Sequence, residues 1–135
     1  MQKELINPSN VFDSRKKYGY SQAIKAGNTI YLAGQGASDE EGNLIGQGDI
    51  VAQVRQTYEN IRSILAEAGA TMNDIVRMTI FCKDVREFAR EAPNIGKIAK
   101  EYFGHASPPG SLIQIVGLGD SAMLLEIEAI AVTSD

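Results

Sequence analysis

Four segments of the chain, TIYLA (29–33), MTIF (78–81), LIQIV (112–116) and LLEIEAIAV (124–132), carry apolar residues at neighbouring positions. Successive side chains of a strand point to opposite faces, so these strands are apolar on both sides and need cover on both. Only two stretches have helical period. After Asp49, a good N-cap, Val51, Val54, Tyr58, Ile61, Leu65 and Ala68 recur three and four apart up to Gly69. The second runs from Asn94 to Phe103. It follows a single turn at 85–91, opened by Asp84 and Glu87 in capping-box spacing and interrupted by Pro93. Two helices cover one face of a sheet. A bare second face would be an apolar patch of the kind soluble monomers avoid, so the chain is expected to associate with copies of itself through its sheets.

The remaining punctuation orders the elements. Strands are expected at Ser21–Lys25 and Thr29–Ala33, turned by Gly27-Asn28, with GASDEEGNLIG as a loop or hairpin tip. Further strands follow at Val76–Lys83, Ser111–Val116 and Leu124–Val132. The order β-β-α-β-α-β-β implies an α+β fold, one mixed sheet with two main helices on one face, in a single domain over residues 1–135. Residues 1–19 are polar and read as irregular. Gln53, Arg55, Gln56, Glu59, Arg62, Ser63 and Glu67 form the helix face expected in solvent.

Composition excludes several functions. A net charge of −4 offers little to a phosphate backbone, so no nucleic-acid partner is expected, and Arg15-Lys16-Lys17 reads as a solvated segment. One cysteine, Cys82, and one histidine, His105, leave no internal disulfide and no thiolate or imidazole metal site. Cys82 lies in an apolar strand without a basic neighbour and reads as an inert buried thiol. No run reaches membrane-spanning length and the first residues lack an apolar signal core, so a cytoplasmic protein without a membrane partner is expected. Glu126 and Glu128 alternate with Leu125 and Ile127 and share one sheet face. Taken by themselves they read more readily as a polar or inter-subunit face than as an acid/base pair.

From Tyr20 to Val132 the chain resembles the RidA/YjgF family of reactive-intermediate imine deaminases. YSQAIKAGNTIYLAGQ is similar to the family's N-terminal hairpin with its Gly-Gln ending, here Gly34-Gln35. DIVAQVRQTYENIRSILAEAGATMNDIVRMTIFCKDVREF is similar to its long helix, loop and central strand, and LLEIEAIAV to its closing strand. The resemblance implies a chorismate-mutase-like fold, a homotrimer with a small-molecule cleft at each subunit boundary, and hydrolytic removal of ammonia from enamines and imines without a cofactor. Some relatives carry older descriptions as endoribonucleases.

The resemblance also distributes roles. Glu126 matches the glutamate that orients the attacking water, Tyr20 the cleft tyrosine, and Gly34 the backbone beside the ligand. Asn94 matches a cleft asparagine across a gap near Pro93. Leu112 stands where a main-chain carbonyl helps hold the water. Gly110, in Pro108-Pro109-Gly110-Ser111, occupies the position of the arginine that grips the substrate carboxylate. That grip depends on a planar, bidentate guanidinium. The chain therefore resembles a branch without the signature arginine, and Ser111 and Gln114 are left to offer uncharged hydrogen bonds. Two readings follow. One is a hydrolytic deaminase whose substrate is not a small amino-acid imine. The other is a non-enzymatic trimer that binds a metabolite or a partner protein in the cleft.

Overall fold

At Gly27 the backbone enters the left-handed region, φ 61°, and the chain turns back on itself to begin a sheet. The structure, a computed structural model, describes residues 2–134. In chain order its elements are β1 (Lys3–Ile6), α1 (Ser14–Tyr18), β2 (Ala23–Ala26), β3 (Thr29–Gln35) and α2 (Ile50–Glu67). After a short 3-10 turn come β4 (Ile75–Cys82), α3 (Val85–Arg90), α4 (Ala92–Phe103), β5 (Gly110–Gln114) and β6 (Leu125–Val132).

The six strands form one mixed sheet in the order β1-β2-β3-β6-β4-β5. Only β4 and β5 run parallel; the other pairs are antiparallel. The last strand is thus central, between β3 and β4, which accounts for its apolar content on both faces. Residues 2–19 are not wholly irregular, as the sequence led us to expect, but hold β1 and α1. β1 pairs with β2 as an edge strand, burying Ile6, and Asp13 and Gly19 cap α1 at either end. Four residues of one strand and five of one helix are too short to show a period, although the flanking Asp and Gly are cap residues of the usual kind.

One face of the sheet carries the core. Ile30 and Leu32 of β3, Leu125, Ile127, Ala129 and Ala131 of β6, and Met78 and Cys82 of β4 are buried. They join one cluster with Val54, Ile61, Ile64 and Leu65 of α2 and Ile95, Ile98 and Phe103 of α4. Asp49 caps α2 by accepting from the Ala52 N–H, and Asp84 caps α3. The break expected at Pro93 is present, since α3 stops at Arg90, and Pro93 sits in the first turn of α4, where its missing N–H costs nothing.

The expected solvent face of α2 needs one correction. Gln53 is fully buried, and Thr57 and Asn60 are buried on the same side. The Gln53 amide donates to the carbonyls of Gly46 (3.1 Å) and Ala122 (3.2 Å), and its oxygen accepts from the Leu124 N–H at 2.8 Å. A polar side chain is stable there because loop backbone satisfies it from both ends. Gln53→Ala is expected to cost about 1–3 kcal/mol, because it leaves those backbone groups unpartnered. Urea unfolding read by circular dichroism checks this.

The second face is bare in the single chain. Tyr31 and Val132 are exposed there, and Leu112 and Ile113 of the edge strand β5 are exposed at 43% and 42%. No helix among the described residues is long and apolar enough to cross a membrane, and no group of His, Cys, Asp and Glu among them is placed to hold a metal.

Candidate functional site

The alternation of β6 sends Leu125 and Ile127 into the core and Glu126 and Glu128 to the opposite face. Glu126 pairs across the ladder with Phe81, and the neighbouring pair Gln35–Ile127 brings the end of β3 alongside. There the Glu126 carboxylate lies against the backbone of Gly34. A Cβ at position 34 would overlap its Oε1 atom, so the glycine leaves the space that the carboxylate occupies.

Tyr20 arrives from the other direction. Gly19, at φ 79°, ends α1 and turns the chain toward β2. The Ser14 hydroxyl donates to the Tyr20 carbonyl at 2.7 Å and fixes its backbone. Next to it, a buried pair of amides ties this segment to β3. Gln35 Nε2 donates to Gln22 Oε1 at 2.7 Å, and Gln22 Nε2 donates to the Phe12 carbonyl at 2.6 Å. The Tyr18 and Tyr20 rings stack with centroids 6.0 Å apart and planes 22° from parallel.

Together these groups bound a cavity of about 670 Å³, open at one side, whose walls include Tyr20, Gly34, Glu126, Lys17, Tyr18 and Met123. The loop 38–44 and residues 119–123 complete the walls. Burial pushes the Glu126 carboxyl above the ordinary glutamate range, and the Glu128 charge adds to the effect. Burial, then Glu126 and Tyr18, push the Tyr20 hydroxyl up, so it remains a proton donor at neutral pH. Such a site offers a carboxyl raised above the ordinary glutamate range, a hydroxyl donor beside it, and an aromatic floor.

Of the residues that the sequence singled out, Tyr20, Gly34 and Glu126 meet in this cavity, and Gly110, Ser111, Leu112 and Asn94 do not. β5 pairs Gly110 with Met78, Ser111 with Thr79 and Leu112 with Ile80, whereas Glu126 faces Phe81 and so the row of Ile113. Gly110 is therefore three positions along and two strands away from Glu126. The Ser111 hydroxyl accepts from Arg77 at 3.2 Å, and Asn94 donates to Glu91 at 2.9 Å. The Gln114 side-chain oxygen accepts from the Val85 N–H at 3.0 Å, at the start of α3. Lys17, Tyr18, Phe12 and the two loops of the wall escaped the sequence reading, because nothing local marks a loop as a wall.

Gly110 is no simple vacancy. A Cβ there would stand 2.5 Å from the Met78 carbonyl oxygen, although the backbone is not left-handed. Gly110→Arg should therefore push β5 off β4 and destabilise the fold by about 1–3 kcal/mol. Thermal unfolding of the variant tests this, and an unchanged melting temperature would show that β5 adjusts freely.

Residues 14–133 match the family model described as Endoribonuclease L-PSP. A RutC family protein of Pyrococcus abyssi is 43% identical over 112 residues, 83% of this chain and 84% of the relative. The 2-iminobutanoate/2-iminopropanoate deaminase of Dermatophagoides farinae is 34% identical over 113 residues, 84% of each chain. Among solved structures, Escherichia coli TdcF with bound serine superposes with a TM-score of 0.83 at 29% identity, covering 97% of this chain and 99% of that one.

Proposed function

This chain belongs to the endoribonuclease L-PSP family, the RidA/YjgF/RutC group, and we propose that its cavity hydrolyses an enamine or imine other than those of small amino acids. The carrying observation is the place of Glu126: a partly buried carboxylate, seated on Gly34 beside Tyr20, in the wall of a cavity large enough for a small metabolite. Water adds its oxygen to the imine carbon while its proton passes to Glu126. The same carboxyl returns that proton to nitrogen, giving a carbinolamine. The hydroxyl proton then follows the same route to nitrogen as the C–N bond breaks, so that ammonia leaves and the carbon keeps the oxygen as a carbonyl. An enamine first takes a proton on carbon to become the imine. A carboxyl raised above its ordinary range suits both halves of this exchange.

Two features support a substrate different from small amino-acid imines. Position 110 has no guanidinium and no room for a side chain without movement of β5. No lysine or arginine is among the groups that shift Glu126. An α-carboxylate beside the reacting carbon would then face Glu126 without a counter-charge.

In this reading the bare sheet face closes in a homotrimer, in which β5 and α4 of a second copy carry Gly110, Ser111, Leu112 and Asn94 to the mouth of the cavity. Light scattering at low micromolar concentration should return the mass of three chains of 14.6 kDa, whereas a monomer mass would contradict this. The acidic chain gives a nucleic acid no footing.

The absent guanidinium also favours a second reading, a non-enzymatic trimer that holds a metabolite in the same cleft. The test is an imine-trapping assay with semicarbazide, in which amine or amino-acid oxidases generate imines in place. Acceleration of hydrolysis over buffer establishes the deaminase. Ligand binding without acceleration on any imine establishes the binder.

A further inference from the structure

Lys17 belongs to the exposed basic run Arg15-Lys16-Lys17, yet the three side chains do not share one environment. Arg15 is held by Asp13 at 2.9 Å, while Lys17 lines the cavity and takes part in none of the ion pairs among the described residues. The Lys17 ammonium lies over the Tyr18 ring, 5.2 Å from its centroid. Tyr18 stacks on Tyr20, and Tyr20 feels the charge of Glu126. Along this wall the cavity runs from an ammonium, over two parallel rings, to the carboxylate at which water would be activated.

The other charged side chains of the lining among the described residues are Glu41, Asp120 and Glu126, all carboxylates. Among the described residues Lys17 is therefore the one charged side chain of the lining that attracts a ligand anion, while the three carboxylates repel it. An α-imino acid cannot use that end, because its carboxylate is bonded to the carbon that must sit at Glu126. We infer that Lys17 is the anion anchor of this cleft, and that the ligand carries its acidic group at the far end of a chain laid over Tyr18 and Tyr20. This rests on the imine-hydrolysis reading for the position of the reacting carbon, which is left beside Glu126 with its cationic nitrogen near a carboxylate and an aromatic face.

Carbonyl products serve as probes. By calorimetric titration, 5-oxohexanoate should bind the wild-type protein at least about tenfold tighter than its methyl ester or 2-oxobutanoate. Lys17→Ala should erase that preference and Lys17→Arg should keep it, with the advantage shrinking as salt is raised. Equal affinity for the acid and its ester, or a preference untouched in Lys17→Ala, would overturn the anchor. Imine hydrolysis measured on the same proteins separates the two ideas. Lys17-dependent binding without hydrolysis overturns the deaminase and upholds the anchor. Hydrolysis with no dependence on Lys17 overturns the anchor alone.

Discussion

Glu126→Gln should abolish imine hydrolysis by about 10²–10⁴-fold while leaving the fold intact or more stable. Gln keeps the shape and hydrogen-bonding capacity of the side chain and removes its ability to exchange a proton. The stability half of the expectation follows from the sign of the shift. Burial, then Glu128, raise the folded-state pKa of Glu126, so the fold favours the neutral carboxyl. That contribution is fully present below the unfolded pKa and is lost as pH rises through the folded one. Above the folded-state pKa the native protein bears the burden of an ionised, partly buried carboxylate that the Gln variant lacks. The variant should therefore melt higher than wild type above that pKa, and the two should converge in acid. The same shift places the rising limb of the wild-type pH–rate profile above the ordinary glutamate range. Full activity in Glu126→Gln would remove Glu126 from the chemistry.

The sheet and its two main helices could be read from the chain because each has a periodic signal with punctuation. The stripe of α2 ends at Asp49 and Gly69, and the strand alternation shows in LLEIEAIAV. Glu126 and Tyr20 were reached through family resemblance; by themselves two glutamates on one strand mark only a polar face. What escaped was set by distant partners. Gln53 looked exposed because helical spacing counts apolar residues, and a glutamine enters the core only when backbone from two loops meets it. Lys17 is exposed as its sequence context suggests, but that it lines the same cavity as Glu126 depends on β6, more than a hundred residues later. The meaning of Gly110 also changed. From the sequence it is a missing cation; in the fold it is also the residue that lets β5 approach the Met78 carbonyl.

Gly34→Ala should separate the position of the carboxylate from its presence. The added methyl would overlap the Glu126 carboxylate, and the obstacle is the far end of a flexible side chain, not backbone. The carboxylate can therefore swing aside, and the strand gains an alanine where a glycine stood, so the change in stability should stay within about 1 kcal/mol. Catalysis is less tolerant. Moving a catalytic group by about 1 Å from its productive geometry can cost about 10²-fold, and that loss is expected in kcat more than in KM, since Tyr18, Tyr20 and Lys17 are untouched. A carboxylate displaced toward solvent also sheds the burial that raises it, so the rising limb of the pH–rate profile should move toward lower pH. The variant combined with Glu126→Gln should be no slower than Glu126→Gln alone, because both substitutions act on one group. A Gly34→Ala enzyme with wild-type kcat and an unmoved pH profile would mean that the seat on Gly34 does not define the working position of Glu126.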